Sequence, residues 1–286
     1  MPLCRGYYGN WEYILIVDFH THSQCSDGQL APADLIDLAV ARGCEQIAIT
    51  DHDTVAAYAE LRARALPIRL IAGCEISTQW QGLEIHIVGL NLNLQSAELL
   101  DGLAQQQSAR TQRAERIAAQ LARQGYGDAL TGALELAKGG SVGRPHFARY
   151  LVEQGAVASV QQAFKRYLAM GKSAYVRSEW ADLEQVCRWI RAAGGVAVLA
   201  HPLKYKMTLT KLRSLLMVFK DAGGCGVEVI SGAQQPEQTR RLAAFARQFD
   251  LCASVGSDFH QLDQPWAALG RVAALPQECV PVWSNW

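Results

Sequence analysis

Two histidines stand two residues apart in the stretch Val17-Asp18-Phe19-His20-Thr21-His22-Ser23. In extended backbone, alternate side chains point to the same side. Asp18, His20 and His22 are therefore able to meet at one point, and two imidazoles with a carboxylate are a candidate metal-ligand set. The same residue types recur behind other short apolar runs. Asp51, His52 and Asp53 follow the run at 46–50, Glu75 follows the run at 68–72, and His86 lies within the run at 83–90. His201 follows the run at 196–200, and Asp258 and His260 follow the run at 251–255. Six of the seven histidines belong to this pattern; the seventh is His146.

The donor types limit the chemistry. Many imidazoles, several carboxylates and no clustered thiolates suit Mn, Zn or Fe(II) better than Ca or structural zinc. Neighbouring divalent ions lower the pKa of a shared water, orient a phosphoryl group and stabilise its developing charge. Hydrolysis of a phosphoester is the reaction that such a site serves. Single residues also have plainer readings. His86 fits a core histidine in an apolar strand, Glu75 fits a turn cap, and Asp53 fits the N-cap of a helix beginning near Thr54. Asp18 and Asp51 fit supporting positions, with Asp51 orienting a ligand imidazole through its second nitrogen.

Seven elements must deliver these groups. Strands are expected at 14–17, 46–50, 68–72, 83–90, 196–200, 226–230 and 251–255. Helix-period stretches separate many of them, one opening at Pro32 and closing at Gly43. Such alternation indicates parallel β/α architecture. Seven strands suffice to close a barrel, and a doubly wound open sheet is the competing arrangement. Either would build its site at the C-terminal strand ends. Residues 97–177 depart from this rhythm and read as successive helices, an all-helical insertion. The body is then 1–96 together with 178–286.

Charge divides along the same line. Lysine plus arginine equals aspartate plus glutamate over the 286 residues, so the whole-chain charge points to no polyanion. Residues 110–177, however, hold eleven basic residues against four acidic ones. A basic insertion above an acidic metal-binding body suits a lid that faces phosphate. The eight cysteines form no C-x-x-C pair and predict reduced thiols rather than a disulfide framework. The opening residues lack a signal-peptide pattern, and no stretch approaches a membrane span. A cytoplasmic protein without a stable protein partner is the expectation.

The motifs DFHTHSQCSDGQLAP, AITDHD, AGCEIS, IHIVG, LAHP and GSDFH, in that order over residues 18–260, resemble those of the PHP (polymerase and histidinol phosphatase) phosphoesterases. The resemblance implies a distorted seven-stranded β/α barrel with two or three divalent metals. It assigns one metal to His20, His22, Glu75 and Asp258, and a second to Glu75, His86 and His201. A third falls to Asp27, His52 and His260, where some members carry histidine in place of Asp27. His201 and Asp258 are also the candidates for proton handling.

The insertion sequence SVGRPHFARYLVEQGAV, followed by FKRYLAMGKSAYV, resembles the subfamily of nucleoside 3',5'-bisphosphate phosphatases and a related 5'-to-3' exoribonuclease. That resemblance implies phosphate contacts from Arg144, His146 and Lys172. It implies Mn as the metal, with Zn or Fe as the other candidates, and a nucleotide or short RNA as substrate. Removal of the 3'-phosphate of a nucleoside 3',5'-bisphosphate is the expected reaction, with 5'-3' shortening of 5'-phosphorylated RNA as its extension. Histidinol-phosphate hydrolysis on the same metal core is the alternative enzyme. A non-catalytic, metal-stabilised binding module is the alternative of another class.

Overall fold

The computed structural model describes residues 15–284 and 286. The expectations for residues 1–13, and the start of the first strand at Ile14, lie outside the described residues. Strands β1 (Val17–Asp18), β2 (Gln46–Ile49), β3 (Arg69–Trp80), β4 (Leu83–Leu90), β5 (Val196–Leu199), β6 (Gly226–Ser231) and β7 (Cys252–Gly256) lie side by side in chain order. The first strand meets the last. Phe19 N–H donates to Val255 O at 3.1 Å, Asp258 N–H to His20 O at 2.8 Å, and His22 N–H to Phe259 O at 2.9 Å. This contact closes the sheet into a barrel and excludes the doubly wound open sheet.

The barrel is mixed rather than all parallel. β4 runs antiparallel to both β3 and β5, while the remaining neighbours are parallel. β3 continues to Trp80, well beyond the apolar run at 68–72, and turns directly into β4. The turn residues Gln81 and Gly82 both have positive φ, 47° and 77°. Two such residues form the tight turn whose twist matches a hairpin. Glu75 is therefore an interior strand residue and not one that follows a strand. Apolar side chains such as Ile76, Ile85, Ile87, Val198, Val227 and Val255 fill the core.

Helices α1 (Pro32–Ala41) and α2 (Ala56–Leu61) connect the first three strands. Between β4 and β5 come α3 (Ala97–Ala122), α4 (Ala129–Ala137), α5 (Arg144–Glu153) and the short α6 (Val160–Ala163). A π-helical turn, Phe164–Leu168, extends α6. Ile117, Leu121, Phe147, Leu151 and Leu168 form a second core here. α3 joins the two cores, because Leu99 and Leu103 near its start pack with the barrel. α7 (Leu183–Ala192), α8 (Leu209–Asp221) and α9 (Pro236–Gln248) complete the outer layer. α7 opens on a capping box, in which Asp182 accepts from Gln185 N–H at 2.8 Å. Among the described residues, no helix is long and apolar enough to cross a membrane.

Candidate metal centre

Glu75 stands at the centre of the site and is fully buried. Its Oε2 lies 3.2 Å from His20 Nε2, 3.2 Å from His22 Nε2 and 3.1 Å from His52 Nδ1. Its Oε1 lies 2.8 Å from His86 Nδ1 and 3.0 Å from His201 Nε2. Five imidazoles thus surround one carboxylate. Asp258 Oδ1 reaches the Nε2 atoms of His20 and His22 at 3.5 and 3.4 Å. Asp27 adds a second lobe, with Oδ1 3.3 Å from His260 Nε2 and Oδ2 3.8 Å from His52 Nε2. All nine residues expected as ligands gather in this one cluster.

The elements explain the convergence. His20 and His22 lie on extended backbone just past β1, so both rings face the same way and their Nε2 atoms are 3.1 Å apart. His52, His201, Asp258 and His260 follow the ends of β2, β5 and β7. His86 joins from the antiparallel β4, whose register sets it opposite Ser77 on β3. His201 and Asp258 have φ of 29° and 58°. Left-handed backbone at non-glycine residues is costly and concentrates at functional sites.

The cluster fits divalent metal ions. Glu75 Oε2 and His52 Nδ1 are buried and have no hydrogen-bond partner of proper geometry among the described residues. Four sets of ligand atoms lie within 4.8 Å of one another: His20-His22-Asp258, His20-Glu75-His201, His52-Glu75-His86 and His22-Asp27-His52-His260. Each is a mixture of imidazole nitrogen and carboxylate oxygen that suits Mn, Zn or Fe(II). Cys74, beside Glu75, contributes nothing, because its thiol points to Asp51 O at 3.4 Å. Electrostatics agree. Burial alone would raise the Glu75 carboxyl, but the rings of His20, His86 and His52 hold it well below its ordinary range. Burial likewise pulls His22 down, yet Asp258 and Glu75 lift it to about 10. His22 thus holds a proton that a cation must displace.

Several expected residues do something else. Asp18 does not converge with the histidines. It accepts from Ser257 N–H and Gly270 N–H, both at 2.8 Å, and ties β1 to the chain beyond β7. Asp51 touches no imidazole directly; it accepts from Ser23 N–H at 2.8 Å and Ser26 Oγ at 2.6 Å, and Ser26 Oγ lies 3.5 Å from His22 Nδ1. Asp53 is not the N-cap of α2, which begins at Ala56. It accepts instead from Ser77 N–H at 2.7 Å and Arg110 Nε at 2.6 Å. His146 is 1% exposed and accepts from Gly143 N–H at 3.0 Å, closing the first turn of α5. The cap uses Nδ1 only, and His146 is not among the residues that line the cleft above the cluster. Lys172 is exposed past the π-helical turn and does not line the cleft above the cluster.

Other groups in the site escaped the sequence reading. Glu228 on β6 is buried, and its Oε1 accepts from His20 Nδ1 at 2.5 Å while its Oε2 accepts from His201 N–H at 2.6 Å. It keeps the His20 proton on Nδ1 and leaves Nε2 free to ligate. A lone glutamate inside the apolar run at 226–230 was the available signal. Lys204 Nζ donates to Asp258 Oδ2 at 2.5 Å, and Tyr205 Oη accepts from His86 N–H at 2.9 Å.

A cleft lined by arginines opens beside the cluster. Asp27, His52 and His86 line it together with Arg110, Arg113 and Arg144. Glu84 binds Arg144 at 2.9 Å, Arg113 at 3.1 Å and Trp180 Nε1 at 3.1 Å. Burial raises its carboxyl, but the two guanidinium groups outweigh that and hold it well below the ordinary range. Arg110 pairs with Asp53 while Arg113 and Arg144 share Glu84, and Asp27 also lines the cleft, so three guanidinium groups stand beside three carboxylates there. Arg110 also stacks over Trp180 at 5.1 Å.

Comparison with known proteins follows the same direction. A family model described as PHP domain matches residues 18–178. A 5'-3' exoribonuclease of Haemophilus influenzae is 45% identical over 270 residues, 94% of this chain and 98% of that protein. The 5'-3' exoribonuclease Rnm of Escherichia coli is 45% identical over 278 residues, covering 96% and 94%. A 3',5'-nucleoside bisphosphate phosphatase of Chromobacterium violaceum is 38% identical over 270 residues, covering 93% and 95%. Among solved structures, an amidohydrolase from Chromobacterium violaceum with bound sulfate superimposes with a TM-score of 0.88 at 38% identity, over 94% of each chain.

Proposed function

This chain belongs to the PHP domain family, and from that premise we propose a metal-dependent phosphohydrolase of nucleotides. It removes the 3'-phosphate of nucleoside 3',5'-bisphosphates to give the 5'-monophosphate, and by the same cut it shortens 5'-phosphorylated RNA from the 5' end. One observation carries the reading. The candidate ligands Asp27, His52 and His86 share a cleft with Arg110, Arg113 and Arg144. A 5'-phosphate seated on these arginines lies beside a cluster built for the scissile 3'-phosphate. The names of the relatives at 38–45% identity support both substrates.

Bound divalent ions, with Mn the preferred one, supply an activated water and neutralise charge on the phosphoryl group. The chain does the rest. Glu228 orients His20 through Nδ1, Asp258 joins His20 and His22 as a ligand, Arg144 and Arg113 bind the 5'-phosphate, and the insertion covers the cleft against water. Lys204 balances Asp258 from outside. The seven described cysteines are free thiols, in keeping with a reducing cytoplasm.

The test is phosphate release from adenosine 3',5'-bisphosphate with added Mn, run beside histidinol phosphate and a short 5'-phosphorylated RNA. Release from the bisphosphate that a chelator abolishes is expected. Turnover of histidinol phosphate alone would transfer the site to that substrate. No turnover of any of them, with metal bound, would leave a binding module.

A further inference from the structure

A second cleft opens beside His201 of the metal cluster, and no residue of the insertion lines it. His201, Leu203, Lys204, Ser231, Ala233 and Gln238 line part of it, from the turns after β5 and β6 and the start of α9. The cleft holds about 180 Å³. It shares no lining residue with the arginine cleft. Three features make it a built site. His201, one of the candidate ligands, forms its inner wall. The Lys204 ammonium stands at its mouth, 49% exposed, while touching Asp258. The Ser231 hydroxyl is buried and has no hydrogen-bond partner among the described residues.

We propose that this cleft holds the ribonucleotide on the 3' side of the scissile phosphate, so that the protein is built for a polynucleotide and not only for a bisphosphate. The inference rests on the phosphohydrolase reading above. In a 3',5'-bisphosphate the scissile phosphorus carries no further ester, and the second cleft has nothing to bind. In RNA the same phosphorus carries the 5'-oxygen of the next nucleotide. Water attacks the phosphorus, and the bond to the 3'-oxygen breaks. That oxygen leaves with a proton as the 3'-hydroxyl of a released 5'-mononucleotide. The phosphate stays on the shortened RNA as its new 5'-phosphate. With the 5'-phosphate fixed on Arg110, Arg113 and Arg144, the following nucleotide must leave the cluster elsewhere. The cleft beside His201 offers that exit. Lys204 lies between the scissile phosphate and the next phosphodiester, and the Ser231 hydroxyl supplies a hydrogen bond for sugar or base.

The experiment fills the cleft. Ala233 is exposed, and only its backbone N–H is engaged, by Trp266 O at 2.7 Å. Ala233→Trp and the conservative Ala233→Ser are assayed with Mn on adenosine 3',5'-bisphosphate and on a 5'-phosphorylated RNA of several nucleotides. Ala233→Trp should keep bisphosphate turnover, which also reports correct folding. On RNA, its kcat/KM should fall by about 10- to 100-fold, the weight of one nucleotide's contacts. Ala233→Ser should match the unmodified protein on both. RNA shortening by Ala233→Trp at the unmodified rate overturns the proposal, and so does a parallel loss on both substrates. If the unmodified protein hydrolyses the bisphosphate and leaves RNA intact, this inference fails and the phosphatase reading stands. If it turns over neither, the phosphohydrolase reading itself has failed.

Discussion

Replacing Glu228 with glutamine should weaken metal binding without unfolding the protein. The carboxylate uses both oxygens, Oε1 toward His20 Nδ1 at 2.5 Å and Oε2 toward the His201 N–H at 2.6 Å. Glutamine fills the same volume but has one acceptor oxygen and one NH2 group. If the oxygen faces His201, the NH2 meets the His20 N–H, and one donor loses its partner. The imidazole can relieve this by moving its proton to Nε2, which is then closed to a cation. Either outcome forfeits one charge-assisted hydrogen bond, about 1.5–3 kcal/mol. Through the ligand this becomes a loss of about 10- to 100-fold in metal affinity. Metal titration calorimetry of the chelator-stripped protein reads the affinity, and circular dichroism reads the fold. Glu228→Gln binding metal as tightly as the unmodified protein would refute the view that Glu228 sets the His20 tautomer.

Three further outcomes follow from the geometry. Asp258→Asn should lose most turnover while its circular dichroism stays unchanged; full activity would remove Asp258 from the site. Gly140→Ala places a Cβ 2.1 Å from Gln24 O, pushing the insertion off the loop that carries Asp27. It should cost about 1–3 kcal/mol and lower the metal stoichiometry by elemental analysis, and an unchanged stoichiometry would uncouple the two. In the metal-stripped protein, His22 is lifted from its ordinary 6.5 to about 10. Its contribution to stability is fully present below pH 6.5 and is lost as the pH rises toward 10. The melting temperature of chelated protein should therefore fall across that window and recover on adding Mn, whereas a rise with pH would contradict the assignment.

The sequence by itself determined where the chemistry is. Histidines and acids behind short β-rich runs are legible because strand period and strand ends are local properties. For the same reason, the helix opening on Pro32 could be read directly. Tertiary structure decided what each buried polar group satisfies, since a buried donor or acceptor takes its partner from whatever the fold brings near. Asp18 looked like a ligand by spacing, but the amides of Ser257 and Gly270 claim it from more than two hundred residues away. His146, expected at phosphate, is buried at the first turn of its own helix and caps it through Nδ1. Glu228 escaped the sequence reading, because its partner His20 is brought against it only by the closure of the barrel. The antiparallel course of β4 rested on the Gln81-Gly82 turn and the length of β3, and that hairpin alone set His86 opposite β3 beside Glu75.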